Sequence, residues 1–209
     1  MSTKKKLIVA VVCLLVATCS LVTGTLAWLT DSTDTVTNTF APSNISLTLV
    51  ETDTDGDGSQ ILNAYQMIPG STYAKDPKVT VTADIDCYVF VKITKSEKFE
   101  TFMTWAIADG WTPLTGVDDV YYREVTAEKA TDSEVFYVLK GEGDGEFKNG
   151  CVKIPGTITK ADMSAFYNAD GSRNDVAAPT LTVVAYACQK ANVDTAAEAW
   201  ALVKDLSNP

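Results

Sequence analysis

The sequence predicts an all-β fold, a jelly-roll-like antiparallel β-sandwich with a short C-terminal helix and an N-terminal signal helix. Short segments rich in β-branched and aromatic residues follow one another, separated by turn residues such as Pro69-Gly70. Two segments carry the clearest strand patterns: Asn44–Val50 alternates apolar and polar residues, and Cys87–Thr94 is almost continuously apolar and aromatic. The 209 residues therefore suffice for one domain of ordinary size with additional terminal segments.

The first 27 residues form a predicted signal peptide. Three lysines at positions 4–6 precede the apolar run Leu7–Leu21, and Thr25-Leu26-Ala27 places small residues at the two positions that signal peptidase reads. We predict cleavage between Ala27 and Trp28. The chain is then expected to be secreted, to the extracellular matrix or the cell surface, with membrane contact only before cleavage.

Two alternatives to cleavage stay open. Residues Leu7–Leu29 are long enough to remain as a membrane anchor. Lipidation at Cys19 is the other, although Thr18 is larger than the residue that usually precedes a lipidated cysteine.

Residues 28–43 form a predicted extended arm. Trp28–Phe40 is rich in β-branched residues, with five threonines and one valine, and contains neither glycine nor proline, a composition that favours an extended chain. The segment has too few apolar residues to build a core alone, so it needs a sheet to pair with.

Residues 44–190 are the predicted sandwich. Its candidate strands are Asn44–Val50, Ile61–Ile68, Val79–Thr82, Cys87–Thr94, Phe102–Ala108, Val120–Tyr122, Val135–Leu139, Cys151–Ile158 and Thr180–Gln189. One short helix is expected within it, at Lys160–Tyr167.

Residues 191–209 are a predicted C-terminal helix and tail. The helix covers Thr195–Leu206, with Asp194 or Thr195 as its N-cap. Its apolar residues recur at helical spacing and are expected to dock on the sandwich: Ala196, Ala199, Trp200 and Val203.

The charge and composition exclude several functions. The chain contains no histidine, so a Ser-His-Asp triad, a Cys-His dyad and an HExxH zinc site are all excluded. The segment before Trp28 holds three lysines and no acidic residue, which leaves 14 basic and 27 acidic side chains after it, a net charge of −13. So acidic a protein is not expected to bind nucleic acid. The acidic pairs Asp84/Asp86 and Asp118-Asp119 are interpreted as surface residues, and we expect no enzyme; a hydrolase using carboxylates alone is the weakest hypothesis.

An acidic loop resembles the start of a calcium-binding loop. Asp53, Asp55 and Asp57 alternate with small residues, and three such carboxylates can converge on one ion. Ala64 stands at position twelve, where a bidentate glutamate is expected. Calcium is therefore the one candidate cofactor, and a solvated turn is the alternative.

The cysteines allow one disulfide in the mature chain. Cys87, Cys151 and Cys188 are an odd number, and Cys87 with Cys188 is the expected pair because both lie in strand-like segments. Three buried thiols are the alternative.

Four aromatic residues allow a second function. Trp105 and Trp111, with Tyr121 and Tyr122, could stack on a sugar, although core positions are the other interpretation. The corresponding hypothesis is a monomeric cell-surface module that binds a glycan or a protein.

Three segments together resemble the TasA/CalY (camelysin) family of Gram-positive biofilm matrix proteins. Thr23–Phe40 (TGTLAWLTDSTDTVTNTF) is similar to the family's processing region, and it is followed by the strand NISLTL. Ile68–Val81 (IPGSTYAKDPKVTV), followed by YVFVKI, is similar to its Pro-Gly turn, K-D-P segment and next strand. Ala185–Trp200 (AYACQKANVDTAAEAW) is similar to its closing strand and E-A-W helix. Residues 95–175 match no motif of the family.

The resemblance implies a secreted structural subunit of extracellular matrix fibres, processed by a SipW-type signal peptidase. It implies that the arm of one subunit inserts as a donor strand into the next, head to tail, and other matrix proteins are further possible partners. The implied donor-strand residues are Trp28, Leu29, Thr33, Thr35, Val36, Thr37 and Asn38. Without a histidine, the chain gives no support to the metalloprotease activity described for some relatives.

Overall fold

The computed structural model of the chain describes Thr3 and residues 44–61, 63–172, 174 and 178–206. Strands dominate this part, and all pairings between them are antiparallel, which confirms the predicted all-β class. The strands are β1 (Ile45–Val50), β2 (Thr72–Ala74), β3 (Lys78–Ala83), β4 (Cys87–Lys95), β5 (Thr112–Pro113), β6 (Val120–Val125), β7 (Glu134–Tyr137), β8 (Cys151–Lys153) and β9 (Leu181–Gln189). The helices are α1 (Phe99–Phe102), α2 (Ala127–Ala130), α3 (Lys160–Met163), a 3₁₀ turn at Ser164–Phe166, and α4 (Ala196–Val203).

The strands form three sheets. A three-stranded sheet has the order β1-β3-β7, and a four-stranded sheet has the order β5-β6-β4-β9. The short strands β2 and β8 pair separately. The longest ladder joins β4 to β9 over nine residue pairs, from Cys87 opposite Gln189 to Lys95 opposite Leu181.

The core lies between the three-stranded and four-stranded sheets. Val79 and Val81 of β3 and Val89 and Val91 of β4 are fully buried in one apolar cluster. Since alternate residues of a strand point to opposite faces, β4 contributes its odd-numbered side chains to this cluster.

The other face of β4 is covered by α4. Tyr88 and Phe90 are buried there, and Trp200 of α4 lies 5.5 Å from Phe90 between ring centroids. Residues 87–91 of β4 are thus buried on both faces of the strand, which explains the continuous apolar sequence there, whereas Lys92 and Thr94 further along are exposed.

Helix α4 confirms the predicted C-terminal helix, slightly shortened. Thr195 is the N-cap: its side chain accepts from the Glu198 backbone N–H, and the Glu198 carboxylate accepts from the Thr195 backbone N–H. This reciprocal capping box satisfies two backbone donors that a helix start otherwise leaves unpaired.

Two predicted strands are wrong. Residues 63–68 form no strand, and Ile61 and Ile68 are 84% and 53% exposed, so the described apolar residues of this segment do not share one buried face. The Tyr65 hydroxyl donates to the Ala74 carbonyl, and the Tyr73 hydroxyl donates to the Gln66 carbonyl. The regular strand pairing is formed by β2 instead.

In Phe102–Ala108, only isolated bridges form, at Thr104 and Ile107. The chain enters this segment from α1, whose buried Phe99 and Phe102 point into the core from a helical turn rather than from a strand.

The N-terminal elements lie outside the described residues. These are the signal helix, the cleavage position between Ala27 and Trp28, and the arm at residues 28–43.

Among the described residues, no helix has the length and apolarity that a membrane crossing requires.

Candidate functional site

The candidate site is the side of the molecule where two edge strands, β1 and β9, lie next to each other. Among the described residues, β1 pairs only with β3 and β9 pairs only with β4. Each strand therefore has one side whose backbone groups face no strand of the described part, which is the usual template for adding a further strand.

In β1, the residues whose side chains face the core have backbone N–H and C=O groups that point away from β3. The Asp84 N–H donates to the Asn44 carbonyl at 3.3 Å just before the ladder begins. Because hydrogen-bonded and non-bonded pairs alternate in an antiparallel ladder, every second residue of β1 points its N–H and C=O away from β3. These residues are Ile45, Leu47 and Leu49.

In β9, the residues whose side chains face the core likewise have backbone groups that point away from the neighbouring strand, β4. The Ser96 N–H donates to the Thr180 carbonyl at 3.0 Å, and the Lys190 N–H donates to the Asp86 carbonyl at 2.8 Å. The residues of β9 that point backbone groups away from β4 therefore include Leu181, Val183 and Ala185.

The same six residues have incompletely covered side chains. Ile45, Leu47, Leu49, Leu181, Val183 and Ala185 all pack against the main core but remain only partly buried. Val81 and Val91, one strand further in, are fully buried. A strand lying along β1 or β9 could therefore bond unpaired backbone groups and cover apolar side chains at once.

The opposite side of the molecule is less suited to strand addition. Strand β5 has two residues, and one of them, Pro113, lacks a backbone N–H. Next to the end of β7, the Ala108 N–H already donates to the Val138 carbonyl at 2.9 Å. The strands on the β1/β9 side are longer, six and nine residues against four for β7.

The residues predicted to enter such an edge lie outside the described part. They are Trp28, Leu29, Thr33, Thr35, Val36, Thr37 and Asn38, together with the cleavage residue Ala27.

The predicted calcium ligands do come together. One carboxylate oxygen from each of Asp53, Asp55 and Asp57 lies within 4.8 Å of the other two. Asp53 accepts from the Gly56 and Gly58 backbone N–H groups at 2.7 and 2.8 Å, and these bonds lower the pKa of its carboxyl group.

The fit to calcium is partial. The Ala64 N–H donates to Asp55 at 2.7 Å, so position twelve contributes a backbone donor where calcium needs a carboxylate. The three aspartates also act as turn formers, each accepting a nearby backbone N–H. Calcium binding stays a prediction, which calorimetric titration of the mature chain tests.

The expected disulfide is wrong. Cys87, Cys151 and Cys188 are all free and buried. Cys188 pairs with Tyr88 in the β4–β9 ladder, so Cys87 and Cys188 point to opposite faces of the sheet and cannot be bridged. Burial raises the pKa of the Cys87 thiol to about 11.

The four candidate sugar-binding aromatics do not form one platform. Trp111 is buried, and its indole N–H donates to the Tyr137 carbonyl at 2.9 Å. Tyr121 and Tyr122 are consecutive in β6 and pack on different apolar clusters. Trp105 is partly buried beneath the Lys95 ammonium group.

Two polar arrangements were not predicted from the sequence. Arg123 lies between two aromatic rings, with its guanidinium carbon 4.5 Å from the centroid of Phe136 and 5.0 Å from that of Trp111. Glu51, just before the acidic loop, is 9% exposed and contacts Lys75 and Asn63. No periodic signal in the sequence marks either arrangement, because the partners are distant along the chain.

No protein-family model, curated protein or solved structure matches the chain.

Proposed function

We propose that the chain is a secreted structural subunit of extracellular biofilm matrix fibres, which polymerises by donor-strand exchange of its processed N-terminal arm. The observation that carries the proposal is the unpaired β1/β9 side, where partly covered core residues and outward backbone groups coincide. The resemblance of Thr23–Phe40 to the TasA/CalY processing region supports the same role.

The arm has the composition that this edge requires. Trp28–Phe40 contains 13 consecutive residues without glycine or proline, and β9 is nine residues long. An extended chain rises about 3.3 Å per residue in any strand, so the arm can follow the whole of β9. Main-chain hydrogen bonds would supply affinity, and alternate side chains of the arm would cover the core.

The geometry of such a contact leads to a filament. The donor lies at the start of the chain and the acceptor lies on the folded domain, so the contact is heterologous and does not close on itself. In this proposal the domain is a jelly-roll-like sandwich, completed by its neighbour's strand. A SipW-type peptidase releases the arm by cutting after Ala27, the partners are copies of the same chain with other matrix proteins, and no catalysis is involved.

The first test is a deletion in the arm. Removing Trp28–Asn38 after the signal peptide should leave a folded monomer that forms no fibres in negative-stain electron microscopy, because the donor strand is gone. A second variant replaces the same positions with a Gly/Ser segment of equal length, which keeps the spacing but removes strand propensity. It should also form no fibres.

Addition of a peptide covering Trp28–Phe40 should inhibit fibre growth by the wild-type chain, since it would occupy the acceptor edge. Continued polymerisation of the deletion variant would show that the mechanism is wrong. A strict monomer of the mature wild-type chain in sizing chromatography, with a bound sugar, would favour the glycan-binding module instead.

A further inference from the structure

We propose that Lys75 and Asn63 become joined by an intramolecular amide bond, an isopeptide cross-link, with Glu51 as the acid–base group. The inference starts from Glu51, the one buried charged residue of the described part. The Lys75 ammonium nitrogen lies 2.7 and 2.9 Å from its two carboxylate oxygens, and the Asn63 amide nitrogen lies 3.4 Å from Oε2. An amine and a carboxamide therefore meet on one carboxylate.

The carbonyl oxygen of Asn63 is held by two donors. The Thr54 backbone N–H lies 2.8 Å from Oδ1, and the Thr54 hydroxyl lies 3.0 Å from it. The carboxamide cannot be reversed, because its nitrogen donates to the Thr52 carbonyl at 3.0 Å. Two donors on one carbonyl oxygen polarise the bond and stabilise negative charge that develops there, as in an oxyanion hole.

The backbones of the reacting residues are fixed by neighbouring bonds. The Glu51 N–H donates to the Gln60 carbonyl at 2.8 Å, and the Lys75 N–H donates to the Gly150 carbonyl at 3.1 Å. A Cβ at Gly150 would lie 2.3 Å from the Lys75 carbonyl oxygen, so only glycine permits this approach. The amine is therefore positioned by β2 and the loop before β8, and the carboxylate by the end of β1, so little motion is lost when the two groups act together.

The reaction balances without a co-reactant. Glu51 accepts a proton from the Lys75 ammonium group, and the neutral Nζ attacks Cγ of Asn63, placing negative charge on Oδ1. Glu51 then protonates the departing Nδ2, the Cγ–Nδ2 bond breaks, and ammonia leaves. Glu51 finally takes the extra proton from the new amide nitrogen. One C–N bond forms, one breaks, and nothing is oxidised or reduced.

The cross-link would strengthen a part of the fold with few ladder bonds. It joins the loop after β1 to the end of β2, a strand of three residues. The described cysteines form no disulfide, so this bond would be a covalent closure suited to an extracellular protein.

Mass spectrometry of the purified full chain tests the proposal. The processed N-terminus is read by sequencing, and the intact mass under denaturing conditions should then fall below the sequence mass by one ammonia. The chain has no lysine or arginine between Lys6 and Lys75, so positions 63 and 75 lie in one tryptic peptide. That peptide should run through an uncleaved Lys75 to Lys78, weigh one ammonia less than its sequence mass, and give no fragment ions from breaks between residues 63 and 75, because the new bond closes this segment into a loop. The uncleaved Lys75 and the missing fragments between residues 63 and 75 separate this product from ammonia loss at another residue.

Three variants sharpen the result. Glu51→Gln removes the proton acceptor and Lys75→Arg removes the nucleophile, so both should show the full sequence mass and cleavage after position 75. Lys95→Arg is the matched control: Lys95 is as buried as Lys75 and pairs with Glu100 and Asp119, so this variant should keep the cross-link.

Circular dichroism checks that each variant folds. The wild-type digest decides the proposal even if a variant unfolds. Folded wild-type protein with its full sequence mass and normal cleavage after Lys75 would overturn the proposal and leave Glu51–Lys75 as an ordinary ion pair.

Discussion

Trp200 is the residue that secures the C-terminal helix to the sheet. It is 6% exposed, and its ring centroid lies 5.5 Å from Phe90 and 5.3 Å from Tyr186. Sequence spacing alone predicted that Trp200 faces the sheet, because Ala196, Ala199, Trp200 and Val203 fall on one side of a helix.

The substitution Trp200→Ala should therefore lower the free energy of unfolding by about 3 kcal/mol or more, since it opens a cavity against Phe90 and Tyr186. Urea denaturation of the mature chain measures this. Leu202→Ala is the control in the same helix: Leu202 is 64% exposed, so the change should stay within about 0.5 kcal/mol. Equal losses in the two variants would contradict the packing.

The cysteines show where prediction from single residues fails. Cys87 and Cys188 lie in strands, as the sequence predicted, and those strands are neighbours, but a disulfide depends on the face that each side chain occupies. That face is set by the register between β4 and β9, which no property of either residue reveals. Their burial raises both thiol pKa values, so little thiolate is present to react at neutral pH.

At the scale of elements, long periodic segments were predictable and short ones were not. Strand β4 is nearly continuously apolar and α4 is buried along one face, so both segments have strong apolar patterns. Strands β2 and β5 have three and two residues, too few to show a period. Ile61–Ile68 has the composition of a strand, but the tyrosine hydroxyl bonds of this region hold it in an irregular path.

The two threonines that begin α4 and α2 give a test of capping. Thr195 accepts from the Glu198 N–H, whereas Thr126 begins α2 without a side-chain cap bond. Thr195→Ala should therefore lower the free energy of unfolding by about 1 kcal/mol, and Thr126→Ala should change it by much less. Thermal or urea denaturation of both variants compares them. A similar cost for the two would mean that the Thr195 bond contributes nothing to stability.

At the scale of the whole molecule, the proposed acceptor side can be tested with proline. Val183 of β9 points its N–H away from β4, so Val183→Pro removes no ladder bond but blocks an incoming strand. The variant should remain a folded monomer and lose fibre formation in electron microscopy.

Val135→Pro is the matched control for this variant. The Val138 N–H donates to the Pro77 carbonyl, which sets the phase of β7 so that the Val135 N–H also points away from its sheet, on the opposite side of the molecule. This variant should still form fibres. If Val183→Pro polymerises like the wild type, β9 is not the acceptor strand.

The acceptor side was only partly predictable. Alternation in Asn44–Val50 predicts which side chains face the core. It does not show that β1 is an edge strand, that β9 lies beside it, or that the backbone groups of Ile45, Leu47 and Leu49 point outward. Those properties follow from the order of strands in two sheets, which depends on contacts between distant parts of the chain.

The ladder between β4 and β9 has a mechanical consequence for the proposed fibre. An arm lying along β9 would be pulled parallel to that strand when the fibre is stretched. The hydrogen bonds of the nine residue pairs between β4 and β9 would then carry the load together, in shear, rather than opening one after another from an end. Because residues 87–91 of β4 are also buried on both faces, tension would pass into a well-packed strand, so the fibre should resist extension better than peeling.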